Sequence, residues 1–224
     1  MRTARCGVVP YVRIDIWSDV ICPWCYLGRA HLKTALASYD GEVDVIHHSF
    51  ELDPTTPRDA TPLTVKRLST KYGMSEAQAL AAQVQMTERA AQVGLTFNLD
   101  GQRSGNTRDA HRLIQLARQH GVQDAMVERL YQAYFTDSRS IFDVDSLTAL
   151  ASEVEGLDVS EVSATLHTDA FTDHVVADEQ QAHELGVTGV PFFVIDLRHG
   201  LSGAQPPEML LQVLERAAAD SARP

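Results

Sequence analysis

Apolar residues alternate with polar ones at Val12, Ile14 and Ile16, closing on Trp17, and a second β-branched run fills residues 43–50; each pattern predicts a strand. Between them Leu27, Leu32, Leu36 and Tyr39 recur at helical spacing across residues 26–39, with no glycine between Gly28 and Gly41. Pro54 and Pro57 break this strand–helix–strand unit, and apolar positions then follow a helical period for about a hundred residues. Residues 75–93, rich in Ala, Gln and Glu, predict one helix. Asn106 or Thr107 can cap another through Leu116 and Ala117 to Gly121, and residues 122–134 and 144–154 predict two more. Strand character returns at residues 190–196, followed by a short strand or turn over 200–203. Pro206-Pro207 then opens a last helix carrying Leu210, Leu211, Leu214, Ala217 and Ala218. Residues 220–224 are expected to fray. The pattern is α/β, split by a helical insertion, without internal repeats.

At 224 residues, 44% hydrophobic and 22% charged, the chain can bury a sizeable core as one globular unit with an inserted subdomain, which sets disordered and fibrous classes aside. A formal charge of −11 and a pI near 5.2 argue against nucleic acid or an anionic membrane as partner, since both need a basic face. No apolar run approaches the roughly 20 residues of a membrane span. Arg2 and Arg5 are followed only by Cys6-Gly7-Val8-Val9 before Pro10, too short an apolar stretch for a signal peptide. The expected location is the cytoplasm, where a C-x-x-C serves catalysis or metal binding more often than a structural disulfide.

Such a pair, Cys22-Pro23-Trp24-Cys25, stands where the first strand gives way to the helix. With Cys22 at the helix N-terminus and Pro23 at its first position, the Cys22 sulfur meets unpaired N–H groups and the positive end of the helix dipole. A setting of this kind can take a cysteine from about 8.5 to about 3.5–7.5 and so supply thiolate at neutral pH. Cys22 is the expected nucleophile, and Cys25, one turn inside and less exposed, resolves the mixed disulfide. Zinc is the rival for the pair, but it needs further ligands: Cys6 lies in an unpatterned arm, as an incidental thiol or a third redox partner, and His47 and His48 alternate across a strand. No metal site is expected. Pro191 opens an apolar strand, a position that need not donate to the ladder, and X-Pro is the common route to a cis peptide.

Further motifs sharpen this reading. Trp17-Ser18-Asp19-Val20-Ile21 leading into the dithiol, Phe50-Glu51-Leu52-Asp53-Pro54, the stretch from Asn106 to His111-Arg112, Gly186-Val187-Thr188-Gly189-Val190-Pro191-Phe192-Phe193 and Ser202-Gly203-Ala204-Gln205 together resemble the DsbA-like branch of the thioredoxin superfamily. Within it the chain is most similar to FrnE-type oxidoreductases, relatives of 2-hydroxychromene-2-carboxylate isomerases and kappa-class glutathione transferases. The resemblance implies a thioredoxin fold from residues 10–57 and 172–224, with 58–171 as an inserted all-helical domain. It implies a cis Val190–Pro191 bond whose backbone pairs with an extended peptide or glutathione. The isomerases and transferases carry Ser where Cys22 stands, so the intact dithiol favours thiol–disulfide exchange. DsbA proteins usually have His where Trp24 stands and carry an export signal, so a cytoplasmic reductase or isomerase fits better than a periplasmic oxidase.

Asp15, in the first strand, is expected either to relay a proton to Cys25, as a carboxylate in a comparable place does in thioredoxins, or to make a structural hydrogen bond. Asp19 can cap or orient the loop before Cys22. Pro23, Trp24, Val190 and Phe192 are expected to line a peptide groove with Phe193 in the core. Asn106 and His111 fall in the family's cleft-lining stretch, or serve as a helix cap and a surface histidine. Ser202 and Gly203 either hold the γ-glutamyl end of glutathione or form a turn. The expected activity is protein dithiol–disulfide oxidoreductase or isomerase. Disulfides of proteins or small molecules are its substrates, glutathione is at most a co-substrate, and no cofactor is tightly bound; a homodimer is left open. The alternative is a glutathione-dependent isomerase or transferase, and a chaperone-like binding module ranks behind both.

Overall fold

In the computed structural model, which describes residues 11–221, β1 (Tyr11–Ser18) runs through the middle of a four-stranded sheet of order β2-β1-β3-β4. It pairs in parallel with β2 (Glu42–Ser49) and antiparallel with β3 (Phe192–Ile195), which forms a hairpin with β4 (His199–Ser202). The parallel pair is joined across the sheet by α1 (Pro23–Leu36), as parallel strands require. Even-numbered positions of β1 face one side: Val12, Ile14 and Ile16 pack with Leu32 and Ala35 of α1 and with Leu210, Leu214 and Ala217 of α9 (Pro207–Ser221). Asp220 and Ser221 are therefore helical, not frayed, because the last apolar turn anchors that helix; residues 222–224, like the Cys6 arm, lie outside the described residues.

The odd-numbered face of β1 is also covered. There α8 (Thr172–Glu184) lays Ala182 and Asp178 over Trp17, whose indole N–H donates to the Asp178 carbonyl oxygen at 3.0 Å. Asp15 and Trp17 are thus buried, and the Asp15 carboxylate must find partners in the protein. Asp15 accepts from Arg13 and from His48 Nε2 at 2.7 Å; His48 Nδ1 meets Asp178 at 2.6 Å, and Trp17 stacks on the His48 ring at 4.4 Å.

Helices α2 (Thr64–Tyr72), α3 (Glu76–Gln92), α4 (Arg108–Gln119), α5 (Gln123–Tyr131), α6 (Val144–Ala151) and α7 (Val159–Leu166) fall between the two parts of the sheet in chain order. Ser75 and Gln78 form a reciprocal cap at the start of α3. The expected helix over 122–134 instead changes to a π-turn at Gln132–Thr136. A loop distant in sequence accompanies the change: Asn98 and Gln102 donate to the carbonyls of Phe135, Thr136 and Tyr134, drawing them off the α-helical path. This turn places Tyr134 and Phe135 in an aromatic cluster with Tyr26, Phe97 and Tyr131. Among the described residues no helix is long and apolar enough to cross a membrane.

Candidate active site

Cys22 is the N-cap of α1, in extended conformation, with Pro23 in the first turn. Its carbonyl accepts from Cys25 N and Tyr26 N, and its own N–H donates to Asp19 O at 3.0 Å. The Val190–Pro191 bond is cis, and the Cys22 sulfur lies 3.7 Å from the Val190 carbonyl oxygen. The dithiol and the proline loop therefore face each other. Both sulfurs are enclosed, Cys22 at 4% exposure and Cys25 at 2%. Accessibility alone separates them less than their helix positions suggest.

What separates them is the environment of Cys25. Burial pushes the Cys25 thiol well up, and the hydrogen bond and charge of Cys22 push it further; the Asp19 backbone amide works the other way. Cys25 thus keeps its proton at neutral pH. Tyr131, from α5, donates to Asp19 O at 3.4 Å, and burial followed by the nearby cysteines raises its phenol as well.

Gly28 fixes how α1 meets the proline loop. A Cβ there would stand 2.9 Å from Pro191 Cγ and 3.3 Å from Phe193 Cζ. On the other side Pro191 O accepts from Gly203 N at 2.8 Å, Gly203 having φ of 81°, and His31 Nδ1 contacts Gln205 O at 2.9 Å. We expect Gly28→Ala to cost about 1–3 kcal/mol, the usual effect of overpacking, and to lower exchange activity by moving Cys22 away from Val190. Urea unfolding and a disulfide-reduction assay on the same preparation check both parts.

Trp24 points outward at 43% exposure, with the Arg89 guanidinium of α3 5.6 Å from its ring centroid. Phe192 is half-buried against Trp17, Phe193 is in the core, and Ser202 is exposed opposite Phe192 in the hairpin. Pro23 and Trp24 belong to α1, Val190, Pro191 and Phe192 to the proline loop and the start of β3, and Ser202 and Gly203 to the end of β4.

Asp15, Asn106 and His111 are each held by partners within the protein, Asp15 in structural hydrogen bonds and Asn106 at the start of α4, as the second reading of each expected. The Asp15 carboxylate is taken up by Arg13 and His48, and the carboxylate acting on Cys25 belongs to Asp19, so the expected Asp15 relay is not assembled. Asn106 donates to Thr56 O and accepts from Arg108 N, which ties the 52–57 segment to α4 and leaves its amide engaged within the protein. His111 is neither a surface nor a cleft-lining residue: its ring is buried 3.5 Å from Asp19 beneath the dithiol loop. His47 and His48 go to Asp124 and to the Asp15–Asp178 pair, and among the described residues no cluster of three such side chains is arranged to hold a metal. The roles of Asp19 beyond its loop, of Glu51 and of Tyr131 were not foreseen. Glu51 does carry one local signal, being an acid flanked by Phe50 and Leu52.

A helix-borne dithiol facing a proline loop, on a sheet of this order with a helical insertion, defines a thioredoxin-fold protein of the DsbA-like type. The DSBA-like thioredoxin domain model matches residues 13–215, and the chain belongs to that family. The structure is similar to a probable DsbA oxidoreductase from Streptomyces coelicolor, at 44% identity and a TM-score of 0.88, covering 95% of this chain and 92% of that one. It shares its fold with the cytosolic disulfide reductase DsbM of Pseudomonas aeruginosa, at 18% identity and a TM-score of 0.61, covering 93% and 96%; DsbM has also been solved with glutathione. An uncharacterised Bacillus subtilis protein, YwbO, is 29% identical over 186 residues, 82% of this chain and 86% of its own.

Proposed function

We propose that this chain is a thiol–disulfide oxidoreductase or isomerase working through Cys22 and Cys25. The observation that carries this is the Cys22 sulfur at the start of α1, 3.7 Å from the Val190 carbonyl, above a Cys25 that holds its proton. An extended substrate lying along Val190–Pro191 would bring its disulfide to Cys22. The Cys22 thiolate attacks one sulfur, a mixed disulfide forms, and the other substrate sulfur leaves as a thiolate that takes a proton from water. Cys25, losing its proton, then attacks the Cys22 sulfur; the Cys22–Cys25 bond forms as the Cys22–substrate bond breaks. The substrate gains two electrons and the pair loses two. Trp24, Phe192 and Ser202 lie where they would contact the flanking residues of the substrate.

The setting we assign is cytoplasmic, with glutathione as the co-substrate that returns the pair to the dithiol: two glutathiones are consumed and one glutathione disulfide is released. The cytosolic naming of DsbM and its glutathione-bound form support that assignment, on the strength of a shared fold. The test is the redox equilibrium of Cys22 and Cys25 in a glutathione series, read by thiol alkylation, with Cys25→Ala as control. We expect one reversible two-electron transition that the control abolishes. A glutathione adduct on Cys22 that persists in the wild type as it does in Cys25→Ala would overturn the proposal in favour of a glutathione-dependent isomerase or transferase.

A further inference from the structure

Trp24, between the two cysteines in sequence, is an exposed aromatic surface beside the dithiol, and a cation lies over it. The guanidinium carbon of Arg89 is 5.6 Å from the centre of the ring. The backbone that carries Arg89 is held firmly: Ala90 is fully buried, and Ala90, Met86 and Val93 pack into the same core as Cys22 and Cys25. The side chain itself is exposed, and none of its N–H donors has an acceptor among the described residues. In a chain of 30 acidic and 19 basic residues arginines find carboxylates readily, as Arg29, Arg67, Arg108 and Arg129 do. Arg89 does not. Its neighbours three and four residues away, Gln85, Met86, Gln92 and Val93, carry no charge. Glu88 lies about 100° round the helix, where adjacent residues do not face each other. A place in the last turn of α3 suits the helix dipole but fills no donor.

We propose that Arg89 is a specificity-determining residue: standing over the Trp24 ring, it receives a carboxylate of the substrate, so that disulfides whose cysteine is flanked by Asp or Glu are favoured. A guanidinium drawn to the negative face of an aromatic ring keeps its N–H donors in its own plane, in the fork that matches a carboxylate. The contact with Trp24 therefore fixes where the charge stands without using the groups that recognise an acid. A substrate extended along Val190–Pro191 advances about 3.3–3.6 Å per residue. Side chains one to three residues from a cysteine at the Cys22 sulfur thus come within reach of the Trp24 ring and of the charge over it. The molecule as a whole carries a formal charge of −11 and repels acidic segments. A fixed cation here offsets that repulsion beside the attacking sulfur. The role is one of recognition, and the exchange steps described above are unchanged by it.

This inference rests on the dithiol reading, and the test keeps the two apart. Reduced full-length protein is mixed with an excess of the symmetric disulfide of a short cysteine peptide. One version has Glu on both sides of the cysteine and the other has Gln, and the second-order rate of protein oxidation is measured for each. We expect Arg89→Gln to lower the Glu-to-Gln rate ratio about two- to fivefold from its wild-type value, the size of an exposed ion pair. Arg89→Lys keeps the charge and should hold most of the ratio, while Arg89→Glu should take it below that of Arg89→Gln. The gap between wild type and Arg89→Gln should narrow in about 0.5 M sodium chloride, where an exposed pair is screened. Substitution at this exposed position is expected to leave the fold intact, which urea unfolding checks. An unchanged ratio in Arg89→Gln, or an equal fall for both peptides, overturns the proposal; the arginine would then only hold Trp24 in place. Reduced wild-type protein that neither peptide oxidises would instead remove the dithiol reading itself.

Discussion

Cys22→Ser is expected to lower disulfide exchange at least about a thousandfold, the scale of loss when a nucleophile is removed and only binding remains. Cys25→Ala should behave differently. It leaves the attacking sulfur at the start of α1 and its 3.7 Å contact with Val190 O in place, so the first step proceeds and stalls as a mixed disulfide. Mass spectrometry should find substrate attached to Cys22 in that variant and none in Cys22→Ser. Turnover surviving in Cys25→Ala would mean that Cys22 works alone, as in a glutathione-dependent isomerase. Full function in Cys22→Ser would make the groove a binding surface with no redox part.

The largest stability effect is expected from Asp178. Its carboxylate receives His48 Nδ1 at 2.6 Å, Ser49 N at 2.8 Å and Gln115 Nε2 at 2.7 Å, all between β2, α4 and α8. Asp178→Ala strands these donors in a dry interior, and removal of one member of a buried charged network typically costs about 3–5 kcal/mol. Urea unfolding at pH 7 measures it; a loss under about 1 kcal/mol would show that the network contributes little beyond its packing. The pH dependence has a definite sign. Burial alone would raise Asp15, but His48 and Arg13 outweigh it and hold it below its ordinary value, so its contribution is present above about pH 4 and lost as pH falls through the depressed value. Burial would lower His48, but Asp15 and Asp178 outweigh it and raise it; its contribution is complete below about pH 6.5 and lost as pH rises through the elevated value. Wild-type stability should therefore weaken on both sides of a plateau, and His48→Gln should flatten the alkaline side.

Legibility followed locality. β1, α1 and β2 can be read in the sequence because apolar period and burial coincide there: Val12, Ile14 and Ile16 all go to one core. The dithiol at a helix start is legible for the same reason, since Pro23 and the end of β1 are its neighbours in sequence. Asp15 was harder to place. The sequence indicates that it is enclosed, but its partners are His48 on the next strand and, through it, Asp178 far along the chain. Cross-strand register and the crossing of α8 decide between relay and structural pair, and neither leaves a local pattern. His111 reads as a polar residue on a helix, and only the packing of α4 against the dithiol loop buries it. The π-turn escaped for a similar reason, because its cause is a loop about thirty residues earlier that captures three carbonyls.

Helix α1 belongs to two cores at once. Cys25, Tyr26 and Leu27 near its start pack with the helices that follow β2, while Leu32 and Ala35 near its end pack with the sheet and α9. Arg29, between them, ties its middle to Asp124 and Glu128 of α5. The sequence can be divided into a thioredoxin part and an insertion, yet the helix that presents the dithiol cannot be assigned to either alone. Loosening of one part reaches the sulfurs as directly as loosening of the other. The speed with which a thiol reagent finds Cys25 is therefore a gauge of the integrity of the whole molecule, readable without unfolding it.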